Sequence, residues 1–158
     1  MEQLAPEYAR TLDYLRRLCS TREYCRSDVM EKAMKRLDDK EAAERAVAEL
    51  VADGFVSDER YAGAFARDKS YIGGWGPAKI RYALVSKGIA KDVIDAALSG
   101  VDSEKSEEKL RRSVETRYKA LSADPQVRLK LLKFALSRGY SYPIAEKAVA
   151  DILKKGKD

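Results

Sequence analysis

The sequence predicts an all-α fold, built as three tandem three-helix units forming an elongated, curved helical array. Three observations carry this reading. Apolar residues recur every three to four positions along almost the whole chain, and no run alternates strictly enough to make a strand. Glycine and proline interrupt those runs at intervals of one short helix. Superposing Gly88 on Gly139 also aligns Lys87 with Arg138, Ile89 with Tyr140, Val93 with Ile144, Ala97 with Ala148 and Leu98 with Val149, a period of 51 residues.

In chain order, the first helix is expected at about 6–20, with Leu12, Leu15 and Cys19 on one face. A second runs over 30–37 and a third over 39–53, where Ala42, Ala43, Ala46, Val47, Leu50 and Val51 make a stripe wide enough for two neighbours. Asp38 with Glu41 reads as a capping box for the third helix, and Gly54 as its left-handed end. Ser57 caps the next helix, with Asp58 and Glu59 in the first turn, where the helix dipole favours anions. Its buried face is Tyr61, Ala62, Phe65 and Ala66, with Tyr61 and Phe65 core by spacing. Gly73-Gly74-Trp75-Gly76 must end it, because each glycine costs about 1 kcal/mol relative to alanine inside a helix.

Pro77 reopens a helix at the first turn, where its missing N–H is not needed. Ile80, Ala83 and Leu84 face inward, and Lys87-Gly88 ends it. A shorter helix presents Ile89, Val93, Ile94, Ala97 and Leu98 inward. A long helix over 103–121 carries Leu110, Val114, Tyr118 and Leu121, and Asp124-Pro125 breaks it. The segment 125–138 is apolar around most of its girth, which predicts a central, buried helix with a cationic remainder. Arg138-Gly139 ends it. A last helix from about Pro143 presents Ile144, Ala148, Val149 and Ile152, ahead of a fraying tail at Lys154, Lys155 and Lys157. One further period toward the N-terminus lands on 30–37 followed by 40–53, with Asp38-Asp39 where the basic-Gly turn stands elsewhere, so the first unit is degenerate. The units are placed at 1–54, 55–100 and 101–158.

Composition narrows the function. The chain of 158 residues is 36% charged and 8% aromatic, a balance suited to a water-exposed or elongated body, and collagen and full disorder are excluded. Histidine is absent, which removes the common zinc ligand sets and every His-based general base. Gly73 to Pro77 lacks P-loop spacing and a preceding strand, so it is a turn and not a phosphate cradle. No nucleophile and base can be paired, so no enzyme is expected and no catalytic residue, cofactor or metal ligand is assigned. Cys19 and Cys25 read as reduced thiols in a cytoplasmic chain without a secretory signal, a disulfide between them being the alternative. No stretch approaches a membrane span, and the protein is read as a soluble monomer. Net charge is −2 over residues 1–53, +2 over 54–100 and +5 over 101–158. The C-terminal excess fits a negatively charged partner, whether nucleic acid, an acidic protein groove or anionic lipid; an ordinary solvated surface is the competing reading.

The middle unit carries an ordered set of motifs: Asp58-Glu59-Arg60-Tyr61-Ala62, Phe65-Ala66-Arg67-Asp68-Lys69, Trp75-Gly76-Pro77-Ala78-Lys79-Ile80, then Leu84, Lys87-Gly88-Ile89, Ile94, Ala97 and Leu98. In order and spacing this set resembles the RecX regulatory proteins, which modulate the RecA recombinase. The resemblance implies a regulator of recombination and DNA repair that lies along the groove of a RecA filament on single-stranded DNA. There it would touch more than one subunit and damp strand exchange and ATP hydrolysis. Arg67, Lys69, Lys79, Arg81 and Lys87 gather around the middle unit's turn, and Arg128, Lys130, Lys133 and Arg138 line the polar strip of the third unit's central helix. These cations are the candidate contacts to RecA or DNA, against a solvated face as the bland reading of each. Trp75 joins them as a candidate, with a plug between two helices as its alternative. The functional alternative is a DNA-binding helical module acting without RecA.

Overall fold

A computed structural model describes residues 4–157, with side chains over 6–156. Met1 to Gln3 of the charged N-terminus lie outside the described residues. These fold into nine α-helices without a strand: α1 Leu4–Cys19, α2 Arg26–Leu37, α3 Lys40–Ala52, α4 Asp58–Tyr71, α5 Pro77–Ser86, α6 Lys91–Ser99, α7 Ser103–Leu121, α8 Val127–Ser137 and α9 Tyr142–Lys157. None is long and apolar enough to cross a membrane.

Each consecutive triplet of helices closes on its own core. Leu15, Val29, Ala43 and Leu50 anchor the first, Ala62, Ile80, Leu84 and Ile94 the second, and Leu110, Val114, Leu131 and Val149 the third. Three small cores leave more surface than one large one. The accessible surface of 9829 Å² exceeds by about a quarter the roughly 8,000 Å² expected of a compact chain of this mass, so the array is elongated.

Helix ends follow local chemistry. Ser57 Oγ accepts from the Arg60 N–H at 3.1 Å and Asp102 Oδ1 from Glu104 at 3.0 Å, satisfying donors that have no partner inside the helix. Gly88, at φ +76°, closes α5 with the Gly88 and Ile89 N–H groups donating back to Val85 and Leu84, a Schellman motif that buries Ile89.

Several expectations are corrected. The cap of α3 is Asp39, which accepts from the Ala42 N–H at 3.0 Å, and Asp38 instead ends α2 in the left-handed conformation at φ 49°. The degenerate turn therefore keeps the backbone role of the missing glycine, which aspartate tolerates better than most residues. Helix α2 begins at Arg26 and not near Met30; its N-cap, Cys25, makes no side-chain capping bond, so no capping residue marked the start. Helix α8 is peripheral, because it packs along its length against α7 and α9 and meets α5 only at its end; Leu131, Leu132 and Ala135 are buried while Leu129 and Leu136 face solvent. Tyr61 and Phe65 are half-buried at the margin of the second core. The expected fraying tail continues α9 through Lys154 and Lys155; the Lys157 side chain lies outside the described residues.

The two joints between units differ. Between the second and third, α4 lies against α7 and the Tyr71 hydroxyl accepts from the Asp102 N–H at 2.7 Å. Between the first and second, the contacts are mostly polar. The Arg26 N–H donates to Asp58 at 2.8 Å, Arg60 to Glu23 at 2.8 Å, Ser27 Oγ to the Lys87 carbonyl at 2.7 Å and Lys87 Nζ to Asp28 at 2.8 Å. Apolar contacts also join them, since Cys25 is buried within the second unit's core and Val56 within the first. Cys19 sits in the first core, and both thiols are free.

The second helices meet end to end. The Gly76 and Ala78 N–H groups at the start of α5 donate to the carbonyls of Arg138 and Gly139 at the end of α8, at 2.6 and 3.1 Å. The Lys87 carbonyl at the end of α5 in turn receives the Ser27 hydroxyl from the first turn of α2. Each contact sets the partially negative end of one helix against the partially positive end of the next.

Two predictions follow from these ends. A Cβ at Gly88 would meet no atom within 4 Å, so Gly88→Val isolates the conformational cost of positive φ; it should lower stability by about 1–3 kcal/mol in urea denaturation, and an unchanged midpoint would contradict the turn. At Asp28, burial pushes the carboxyl up, but the Lys87 and Cys25 hydrogen bonds outweigh it and hold the group below its usual value of 3.8. A depressed folded-state value contributes stability above the unfolded value that is lost as pH falls through the folded one. Asp28→Asn should therefore destabilise the protein at neutral pH, and its deficit against wild type should shrink as urea titrations are moved below about pH 4.

Candidate partner-binding site

The turn between α4 and α5 is built by close approach. A Cβ at Gly76 would lie 2.6 Å from the Gly139 backbone, so only glycine lets the two turns exchange hydrogen bonds. Trp75, held by its N–H to the Lys69 carbonyl at 2.8 Å, is half-buried and packs edge-on to Phe65 with centroids 6.2 Å apart. The ammonium groups of Lys69 and Lys79 lie 4.7 and 4.6 Å from the centre of its ring. Trp75 is thus a plug flanked by two cations, an arrangement in which the ring's electron-rich face draws the charges to fixed positions. Beneath it lies a cavity of about 100 Å³ bordered by Ser70, Ile80, Leu98, Tyr140 and Ile144. That volume is well short of the roughly 300 Å³ at which ligand pockets begin, so the feature is a packing gap and not a nucleotide cleft.

The neighbouring unit adds to the same place. Arg138, at the end of α8, stacks its guanidinium 5.0 Å from the Phe134 ring, with Arg117 of α7 at 4.5 Å. Lys69, Trp75, Lys79 and Arg138 are therefore brought together at the joint between the second and third units.

Other candidates are placed elsewhere. Arg81 pairs with Asp95 at 2.6 Å, where hydrogen bonds from Arg81 and then Lys91 hold the carboxyl below its usual value. Lys87 is committed to Asp28 at the first joint, which raises the Lys87 ammonium's affinity for its proton. Arg128 pairs with Glu146 at 3.6 Å, and Lys130 hydrogen-bonds Asp124. Among the described residues Arg67, Lys69, Lys79, Lys133 and Arg138 have no carboxylate within ion-pairing distance. Arg67 and Lys133 are exposed on α4 and α8, away from the Trp75 cluster.

Division into thirds conceals where the charge resides. Residues 69–91 and 125–145 hold nine Lys and Arg and no Asp or Glu, while the remainder of the chain holds 22 cations and 26 acids. These two acid-free segments contain α5 and α8, which meet end to end. Sequence reasoning also passed over Arg117 and Phe134. A third application of the 51-residue period would have placed Pro77 on Arg26, the true start of α2, and Trp75 on Tyr24, an aromatic likewise flanked by cations, Arg22 at 4.3 Å and Lys32 at 5.6 Å.

Comparison with known proteins agrees with this architecture. Residues 57–98 match the profile of the RecX second three-helix domain. The chain is 36% identical over 119 residues to the regulatory protein RecX of Clostridium botulinum strain Alaska E43, an alignment covering 73% of this chain and 55% of that protein. It is 33% identical over 114 residues to the regulatory protein RecX of Lactobacillus delbrueckii subsp. bulgaricus, covering 71% and 42%. The chain spans about half the length of the curated relatives it matches. A crystal structure of regulatory protein RecX superposes with a TM-score of 0.78 at 27% identity, over 91% of this chain and 70% of that one. RecX from Lactobacillus salivarius shares the fold, with a TM-score of 0.79 at 20% identity over 94% and 98%. A matching central domain, sequence relatives and solved structures of the same helical array thus agree, and the chain belongs to the RecX family.

Proposed function

We propose that this protein is a non-enzymatic regulator of the RecA recombinase. It binds the filament on single-stranded DNA across neighbouring subunits, as a monomer in the cytoplasm, and inhibits strand exchange and ATP hydrolysis. The observation that carries this reading is the set of cations without a carboxylate partner among the described residues, Lys69, Lys79, Lys133 and Arg138, on and beside two helices joined across a unit boundary. Such a surface selects an acidic partner and accelerates encounter more than it adds affinity. The family relationship supplies the regulatory role. Binding across subunits alters the filament only through a difference in affinity for its states, so inhibition requires that the protein prefer the less active one. The division at 54/55 and 100/101 belongs to the same proposal, each unit being one step of the array.

The acid-free segments also suit single-stranded DNA, which favours a second reading as a DNA-binding module acting without RecA. RecA's DNA-dependent ATP hydrolysis on excess single-stranded DNA separates the two. Inhibition at amounts far below the DNA's binding capacity supports the filament regulator, and loss of effect when DNA is in excess supports competition for DNA.

Replacing Lys133 and Arg138 together by Glu should weaken filament binding and flatten its dependence on salt, measured by titration at several ionic strengths. An unchanged salt slope removes both residues from the site.

A further inference from the structure

Within the acid-free segments, α5 and α8 expose apolar residues on corresponding faces: Val85 matches Leu136, Tyr82 stands where α8 has Lys133, and Leu129 where α5 has Ala78. Residues Ala78, Tyr82 and Val85 stand at i, i+4 and i+7 on α5, and Leu129, Lys133 and Leu136 stand at the corresponding positions of α8, each 51 residues further on. Tyr82 is 79% exposed and Val85 58%, Leu129 45% and Leu136 40%. Exposed large apolar residues are individually ordinary. Exposed apolar residues on corresponding faces of two units, on helices devoid of acidic residues, are not what a merely solvated face predicts. The first unit lacks such a face. A step of 50 residues, which places Asp38 on Gly88, brings Asp28, Lys32 and Lys35 to these positions, and Asp28 is consumed by Lys87 while Lys35 pairs with Glu31.

We infer that the outward faces of α5 and α8 are two equivalent footholds, each seating aliphatic or aromatic side chains in an apolar depression with an acidic rim on one protomer of a polymeric protein. The inference rests on the proposed filament binding and locates it. The occupant is a protein surface and not nucleic acid, because only Tyr82 offers a stacking face while Val85, Leu129 and Leu136 are aliphatic and the α8 face has no exposed aromatic between them, whereas single-strand binders use successive aromatic platforms beside their cations. The nearby Lys79 and Lys133, neither paired with a carboxylate among the described residues, give the rim its sign. A repeated foothold calls for a repeated partner site, and two footholds held at fixed separation by the α8–α5 junction bind successive protomers with the second contact made intramolecular.

The test uses the full chain with glutamine substitutions, which keep helix propensity and charge while removing apolar surface. One variant carries Tyr82→Gln and Val85→Gln, a second Leu129→Gln and Leu136→Gln, and a third all four. Ile72→Gln, at an apolar residue 74% exposed outside both faces, is the control. Circular dichroism melts establish that all remain folded. Binding is measured to preassembled RecA filaments on single-stranded DNA and, separately, to the same DNA without RecA. The expected result is about tenfold weaker filament binding for each pair and a hundredfold or greater loss for the four together, with the control and binding to bare DNA unchanged. Wild-type affinity for filaments in the quadruple variant overturns the footholds while leaving the filament reading intact, as does a parallel loss on bare DNA. If the wild-type protein itself fails to bind filaments, the proposed function falls and the footholds with it.

Discussion

The array depends on the backbone exchange between the end of α8 and the start of α5. A helix start leaves N–H groups without internal partners, and the usual remedy is a side-chain cap. Gly76 has no side chain to offer, and Pro77 has no N–H to satisfy. The remaining donors of Gly76 and Ala78 are met by the carbonyls of Arg138 and Gly139, from another unit. Each unit thereby completes a deficiency of its neighbour, and the approach distance leaves room for glycine alone at the crossing. The cations of the joint follow from this contact, since Lys69 and Lys79 are set about Trp75 and Arg138 by the same two turns.

Much of this was legible in the sequence where local chemistry announces itself. Ser57, Pro77, Gly88 and Asp124-Pro125 mark boundaries through hydrogen bonding or backbone geometry that involve only neighbouring residues, and the helices there begin and end close to expectation. The start of α2 carries no local signal, because the Arg26 N–H is satisfied by Asp58 of the second unit, 32 residues away, and only the repeat marks it. Charge clusters point to helices but do not show which of their cations are already paired. Lys87 and Lys79 look alike in sequence, yet one is spent on Asp28, 59 residues distant, and the other is not. The girth of α8 misled for a related reason. Apolar residues all round imply burial only if something covers them, and α7 and α9 cover the side of α8 that carries Leu131, Leu132 and Ala135 but not the side that carries Leu129 and Leu136.

The two joints also differ in kind. Between the second and third units, packing of α4 on α7, the Tyr71–Asp102 hydrogen bond and the backbone exchange make the closer seam. Between the first and second, ion pairs of partly exposed side chains predominate, and such pairs contribute little and weaken with salt. Stiffness is therefore concentrated in the half of the chain that carries the acid-free helices, where fixed separation of contacts matters.

Cys25 belongs to the first unit by connectivity and to the second by packing. A polypeptide beginning at residue 55 would leave the second bundle with a thiol-sized void at its margin, while one beginning a few residues ahead of Cys25 would bring its own stopper. The smallest autonomous piece of this chain accordingly does not coincide with the boundaries drawn by counting helices, since Cys25 finishes the second bundle and Val56 the first.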